Sequence, residues 1–77
     1  MESQKSLDER TRKLLKKVSK NIRAIRLSKG LTQEDMGDYG FGQRWYQRFE
    51  SGRHAPSLPT LVKLARAFKV EIVDFFK

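Results

Sequence analysis

Hydrophobic positions along the chain divide it into helical segments separated by glycines. Before Gly30, apolar side chains recur every three or four residues, as on one face of an α-helix, at Leu14, Leu15, Val18, Ile22 and Ile25. Ser6 and Glu9 have the spacing of a capping box, so the first helix should begin after Ser6 and end near Gly30. We expect a loose tail of residues 1–5, followed by a single domain of residues 6–77.

Two shorter helices are predicted on either side of a glycine-rich corner. Thr32 and Asp35 form a second capping signal, which predicts a short helix from about Gln33. Gly40 can turn the chain at no steric cost, so this helix should end before it. A third helix is predicted to begin after Gly42.

The third helix, which should end at Gly52, has two chemically different faces. We expect Trp45, Tyr46 and Phe49 to lie on the side of the core, and Phe41 to pack against Tyr46 as a hydrophobic staple. The opposite face carries hydrogen-bonding side chains, namely Gln43, Arg44, Gln47 and Arg48.

The last third of the sequence predicts a fourth helix and an ambiguous tail. Ser57 is a suitable N-cap, and Pro59 falls in the first turn, where its missing N–H costs little. The residues expected to face inward are Leu58, Leu61, Val62, Ala65 and Phe68. Residues 70–76 permit a strand by their β-branched content, whereas Ile72 with Phe75 or Phe76 suits one helical turn.

Composition and charge narrow the possible functions. The 77 residues suffice for one small domain, and they include one histidine and no cysteine, so we expect no metal site, no cofactor and no enzyme. The net charge is +8, and the first 30 residues hold ten lysines and arginines against three acidic residues. This excess of positive charge favours a polyanion such as DNA as the binding partner. The alternative is a basic surface that is only solvated. Without an apolar span or a leader peptide, the expected location is the cytoplasm.

The predicted second and third helices form a helix-turn-helix unit of about residues 32–51. The major groove of DNA is about 12 Å wide and admits one α-helix. Glutamine can pair bidentately with adenine, and arginine with guanine. The polar face of the third helix is therefore interpreted as a DNA-reading surface.

Three segments make this interpretation more specific: IRAIRLSKGLTQEDM, RFESG and PSLPTLVKLARAF. With these motifs, the chain from about Ile22 to Phe76 resembles the lambda-repressor-like family, which includes phage repressors, Cro proteins and regulators of the xenobiotic-response-element class. The resemblance implies an all-α, compact domain of five helices, here with an extended basic first helix. It also implies a sequence-specific, repressor-like transcriptional regulator that binds double-stranded DNA, as a homodimer on a roughly palindromic operator.

Roles for individual residues follow from the same resemblance. The base-reading positions are Gln43, Arg44 and Gln47. The positions that contact the DNA backbone are Gln33, Arg48, Arg53 and His54, of which Gln33 should also brace the third helix. Arg26 and Glu50 correspond to a structural salt bridge of the family.

The corner departs from the family pattern. The segment between Met36 and Phe41 is one residue short, Gly37 replaces a small alanine, Tyr39 replaces an aliphatic residue, and Gly42 replaces an N-capping hydroxyl residue. We therefore expect the crossing angle of the second and third helices to differ from that of the family. An acidic patch also lies here, and in some family members such a patch contacts RNA polymerase; its residues are Glu34, Asp35 and Asp38.

Several alternatives remain open. The chain could be an antitoxin or another protein-interaction regulator with secondary DNA binding, or a non-specific nucleic-acid binder driven by its basic first helix. Trp45 could stack on a sugar or base instead of lying in the core or at its edge. A dimer could form through the fifth helix with Phe75 and Phe76, or through the extended first helix.

Overall fold

The computed structural model describes residues 4–77, with side chains from residue 8 onward. Within this range all regular secondary structure is helical, which confirms the all-α prediction. The elements are helix α1 (Gln4–Ser28), a first 3-10 helix (Glu34–Tyr39), helix α2 (Gln43–Ser51), helix α3 (Leu58–Phe68) and a second 3-10 helix (Ile72–Phe76). None of the helices among the described residues is long and apolar enough to cross a membrane.

Helix α1 runs along the long axis of the molecule. Its 25 residues correspond to about 37 Å, and the described chain measures 44 × 23 × 20 Å. The helix begins at Gln4, so the predicted start after Ser6 is wrong; Gln and Lys are good helix formers and extend it past the capping signal. Residues 1–3 of the predicted tail lie outside the described residues.

The core is assembled from all five elements. Val18 and Ile22 of α1 are buried, whereas Leu14, farther toward the N-terminus on the same stripe, is 48% exposed. The fully buried large side chains are Tyr46, Phe68, Phe75, Ile22, Met36 and Leu64. Because α1 is longer than the domain packed against it, the apolar stripe continues beyond the surface that covers it.

Helix α3 begins as predicted, with the Ser57 hydroxyl accepting a hydrogen bond from the Thr60 N–H. Its inward face differs from the prediction. Leu58 is 68% exposed and Val62 39%, whereas Leu64, which the sequence interpretation omitted, is completely buried. Apolar residues surround most of this helix, so the apolar pattern by itself does not locate the centre of the buried face.

The C-terminal segment adopts the helical alternative. The side chains of Glu71 and Asp74 form a capping box at the start of the second 3-10 helix. Asn21 of α1 donates a hydrogen bond from Nδ2 to the Phe75 carbonyl oxygen at 2.9 Å. Phe75 is fully buried and Phe76 is 39% exposed, so of the two aromatics suggested for a dimer contact only Phe76 lies at the surface.

The corner before α2 contains a 3-10 helix, which is wound more tightly than an α-helix. The predicted short helix is present, but with 3-10 geometry, which is common in short connecting segments and is consistent with two glycines nearby. Thr32 and Asp35 form the predicted capping pair, with bonds of 2.7 and 3.1 Å. Gly40 has a φ of 87° and ends this element. Lys63 of α3 then donates a hydrogen bond to the Gly40 carbonyl oxygen.

Candidate nucleic-acid interface

Helix α2 is held against the core by one face only. Tyr46 and Phe49 are buried, as predicted, and the Phe41 ring meets the Tyr46 ring edge-on with centroids 6.0 Å apart. Gly52, with a φ of 76°, ends the helix at the predicted position. The opposite face of α2 is consequently presented to solvent along its whole length.

A positively charged groove crosses this exposed face. Three guanidinium groups line it together with a glutamine and a serine; its residues are Arg44, Gln47, Arg48, Ser51 and Arg53. All five are exposed. Donors of this kind can bind bidentately to guanine or to phosphate oxygens. The groove therefore has the chemistry required for both the edges of bases and the DNA backbone.

The backbone after α2 explains why Arg53 joins this groove. The carbonyl oxygen of Arg48 accepts hydrogen bonds from the N–H groups of Gly52, Arg53 and His54, the last two at 3.1 and 3.3 Å. The left-handed glycine thus folds the loop back on the last turn of α2. This brings two residues predicted for the DNA backbone, Arg53 and His54, beside the predicted reading face.

Gln43 and Gln33 lie apart from that groove. They line another depression with residues of α1, the loop after it and the start of the first 3-10 helix, namely Arg26, Leu27, Leu31, Thr32 and Glu34. Gln33 donates a hydrogen bond from Nε2 to Glu50 Oε1 at 3.2 Å, so it contacts α2 as expected of a brace. The predicted site is hence divided between two surfaces.

Arg26 and Glu50, which the resemblance paired, form a bidentate ion pair between α1 and α2. Arg26 Nε lies 2.6 Å from Glu50 Oε2, and Nη2 lies 3.1 Å from Oε1. Arg26 Nη1 also donates to the Leu31 carbonyl oxygen at 2.7 Å. The side chains are 7% and 3% exposed. The pair fixes the end of α2 to α1 and to the loop that follows α1.

Burial and hydrogen bonding shift the pKa values of this pair and of the neighbouring Tyr46. Burial tends to raise the pKa of Glu50, but hydrogen bonds from Arg26 and Gln33, together with the neighbouring Tyr46 hydroxyl, outweigh it and hold the pKa below its usual range. The hydrogen bond to Glu50 raises the pKa of Arg26. Burial, followed by the neighbouring Glu50 carboxylate, raises the pKa of the Tyr46 hydroxyl. The pair is charged at neutral pH, beside a neutral tyrosine.

Trp45 lies at the edge of the core. The sequence predicts a position in the core or at its edge, and the side chain is 50% exposed. It lies at the border between the buried and exposed faces, with the Arg48 guanidinium carbon 4.9 Å from the indole centroid. The spacing of three residues between Trp45 and Arg48 is the signal in the sequence that could have indicated this contact.

Comparisons with known proteins agree with this geometry. A family model described as helix-turn-helix matches residues 22–75. Over 60 residues the chain is 40% identical to the uncharacterized HTH-type transcriptional regulator y4dJ of Sinorhizobium fredii, covering 77% of this chain and 78% of that protein. Over 57 residues it is 35% identical to the cryptic phage CTXphi transcriptional repressor RstR of Vibrio cholerae, covering 73% of this chain and 51% of the repressor.

No solved structure matches the chain. The matched segment begins at Ile22 within α1 and includes the corner, α2, α3 and most of the second 3-10 helix. It thus contains every element that shapes the charged groove and the Arg26–Glu50 pair. The predicted resemblance is confirmed: this chain belongs to the helix-turn-helix family of DNA-binding transcriptional regulators that includes phage repressors.

Proposed function

We propose that this protein represses transcription by inserting α2 into the major groove of a specific operator. The observation that supports this most strongly is the groove of Arg44, Gln47, Arg48 and Arg53 on the exposed face of a helix fixed by its other face. A rigid helix that carries such donors can be aligned with base edges. Similarity to a phage transcriptional repressor supports repression rather than activation.

Within the proposed complex, the predicted residues have two different tasks. Arg44 and Gln47 project from the middle of the exposed face and read bases, and Gln43 reads from the other depression. The positions that contact phosphates are Gln33, Arg48, Arg53 and His54. Phosphate contacts fix the register of the helix, and base contacts supply specificity. The protein would act in the cytoplasm, where it is bound to the nucleoid.

We propose that two copies bind together to a roughly palindromic operator, with half-sites about one helical turn apart. One module of this size offers few base contacts, and doubling it raises specificity. An apolar groove suited to this contact runs between the exposed part of α1, the loop before α3 and the last residues. It includes Leu14, Leu15, Pro56 and Phe76. The two dimer surfaces that the sequence suggests, the C-terminal helix and the extended first helix, thus both contribute to one groove.

Selection of bound sequences from a random DNA pool tests the proposed function. We expect a recovered palindrome for the natural protein. Arg44→Ala should relax selection at one position of each half-site, at a cost of about 1–3 kcal/mol per lost base contact. Arg53→Ala serves as the comparison, since loss of a phosphate contact should weaken all sequences similarly and reduce the salt dependence of binding.

Recovery of no preferred sequence would overturn the proposed function. Strongly salt-dependent binding without preference would instead indicate a non-specific nucleic-acid binder that depends on the basic α1. Weak binding to all DNA, together with a stable complex with a small protein, would indicate an antitoxin or a similar protein-interaction regulator.

We further propose that the acidic first 3-10 helix contacts RNA polymerase. Glu34 and Asp38 are exposed, whereas Asp35 is engaged with the backbone and side chain of Thr32, whose hydrogen bonds lower the pKa of Asp35. The test is therefore Asp38→Lys, without change at Asp35 or at Glu34, which lines the depression of Gln33 and Gln43. Promoter output should change in a reconstituted transcription assay while operator affinity stays within about two-fold, since a screened surface charge has a weak effect. Unchanged output would refute the contact.

A further inference from the structure

Trp45 lies at the edge of the charged groove and is contacted on two sides. It is the single tryptophan of the chain and is 50% exposed. The Arg48 guanidinium carbon lies 4.9 Å from the indole centroid. The His54 ring meets the indole edge-on, with centroids 4.8 Å apart and planes at 72°. A large apolar ring is thus held at the surface by two polar side chains.

The surrounding backbone fixes this arrangement. Trp45 and Arg48 are three residues apart on α2, so their side chains lie on neighbouring turns. His54 is folded back toward them by the hydrogen bond from its N–H to the Arg48 carbonyl oxygen. Its ring also lies 6.0 Å from the ring of Phe49, which is buried. The aromatic group is thereby connected to the core on the side away from the groove.

Arg48 contacts the indole and also lines the charged groove. Its guanidinium lies over the indole, and its side chain lines the groove with Arg44, Gln47 and Arg53. A free arginine side chain samples many rotamers, and ordering it on binding opposes association. A ring that already holds the guanidinium removes part of that entropic cost. The same contact keeps the Arg48 charge at the groove.

We propose that Trp45 is a positioning residue that holds Arg48 for a DNA phosphate at the edge of the major groove. This inference rests on the proposed function for the location of the DNA. Trp45 acts through Arg48 and does not itself contact DNA. Because the contact is present with and without DNA, its effect on affinity is the avoided ordering of the Arg48 side chain, which corresponds to about a two- to five-fold change in the binding constant.

A double-mutant cycle tests the coupling. Trp45→Leu, Arg48→Ala and the double variant are compared with the natural protein for binding to the selected operator over a series of salt concentrations. Trp45→Leu should weaken binding about two- to five-fold. Arg48→Ala should weaken it further and reduce the salt slope by about one. The double variant should match Arg48→Ala alone, and Trp45→Phe, which keeps an aromatic face, should recover most of the affinity.

Two results would overturn the proposal. If the losses from Trp45→Leu and Arg48→Ala multiply in the double variant, Trp45 acts independently of Arg48, either by direct contact with DNA or through His54. If Trp45→Phe loses as much affinity as Trp45→Leu, binding does not require an aromatic ring beneath the Arg48 guanidinium. Thermal unfolding of each variant verifies that it is folded.

A measurement without DNA separates this proposal from the proposed function. Ring-current shifts of the Arg48 side-chain protons in nuclear magnetic resonance spectra should be present in the natural protein and lost in Trp45→Leu. Equal shifts in both proteins would show that the contact does not form. If selection recovers no operator, the proposed function fails, and the cycle is carried out on an unselected duplex, where phosphate contacts persist. Coupling on that duplex would support the role of Trp45 independently.

Discussion

Glu50 is the residue through which the reading helix is connected to the rest of the protein. Its carboxylate accepts from Arg26 of α1 and from Gln33 beside the corner, and it lies next to the buried Tyr46. One side chain thus joins the two elements that position α2. A buried pair of this kind is costly to break, because loss of one partner leaves the other charge uncompensated, typically at about 3–5 kcal/mol.

The stability of the fold should depend on the charge of Glu50. Its pKa is lower in the folded protein than in the unfolded chain, so its contribution is complete above the unfolded value of about 4.3 and is lost as the pH falls through the folded value. Glu50→Gln should lower the free energy of unfolding at pH 7, and the difference from the natural protein should narrow toward pH 3. Urea unfolding between pH 7 and pH 3 measures this difference. A difference that stays constant with pH would show that protonation of Glu50 is not coupled to folding.

Among the elements, the corner differs most from what the sequence pattern predicts. The short helix before α2 adopts 3-10 geometry, and Gly40 closes it in the left-handed conformation. Lys63 of α3 lies across this turn, with its ammonium 3.1 Å from the Gly40 carbonyl oxygen and 4.6 Å from the centroid of the Phe41 ring. The corner is therefore held from α3, an element outside the helix-turn-helix itself.

Two glycines of the corner should respond oppositely to the same substitution. Gly37 has helical geometry, and a Cβ there would meet nothing within 4 Å, so Gly37→Ala should stabilise the fold by about 0.4–1 kcal/mol. Gly40 has a φ of 87°, and a Cβ there would lie 2.8 Å from Lys63 Nζ. Gly40→Ala should destabilise by about 1–2 kcal/mol because of its left-handed backbone. Chemical denaturation of both variants measures these effects; equal changes would contradict the described corner.

For the whole molecule, the charges and the apolar groove indicate two separate surfaces. The reading face on α2 is basic, and the apolar groove lies between α1, the loop before α3 and the last residues. Leu14 is 48% exposed and Phe76 39%. A groove lined by apolar side chains can be covered by another molecule. We assign that surface to the second copy of the proposed dimer.

Leu14→Glu should dissociate the proposed dimer without unfolding the protein, since it introduces a charge into the apolar groove at an exposed position. Sedimentation velocity should show a dimer for the natural protein and a monomer for the variant. Leu58→Glu is the matched control, because Leu58 is 68% exposed on α3 and does not line the groove. If the natural protein remains monomeric at high micromolar concentration, both free and on DNA, the dimer proposal is wrong.

The sequence by itself determined the features that depend on local geometry. Ser57 and Thr32 predicted capping bonds that are present, and Gly52 predicted the end of α2, because capping and left-handed turns involve residues only a few positions apart. The family motifs also predicted the ion pair of Arg26 and Glu50, which is present. The division of α2 into a core face with Tyr46 and a polar face follows from the helical repeat.

Tertiary structure decided which part of each apolar surface is covered. Helical periodicity fixes the angles between side chains, but the centre and width of a buried face depend on the elements packed against it. For this reason Leu64 is buried while Leu58 is exposed, and Phe75 is buried while Phe76 is not. The loop that returns after Gly52 likewise brings His54 to Trp45, a contact that no local pattern specifies.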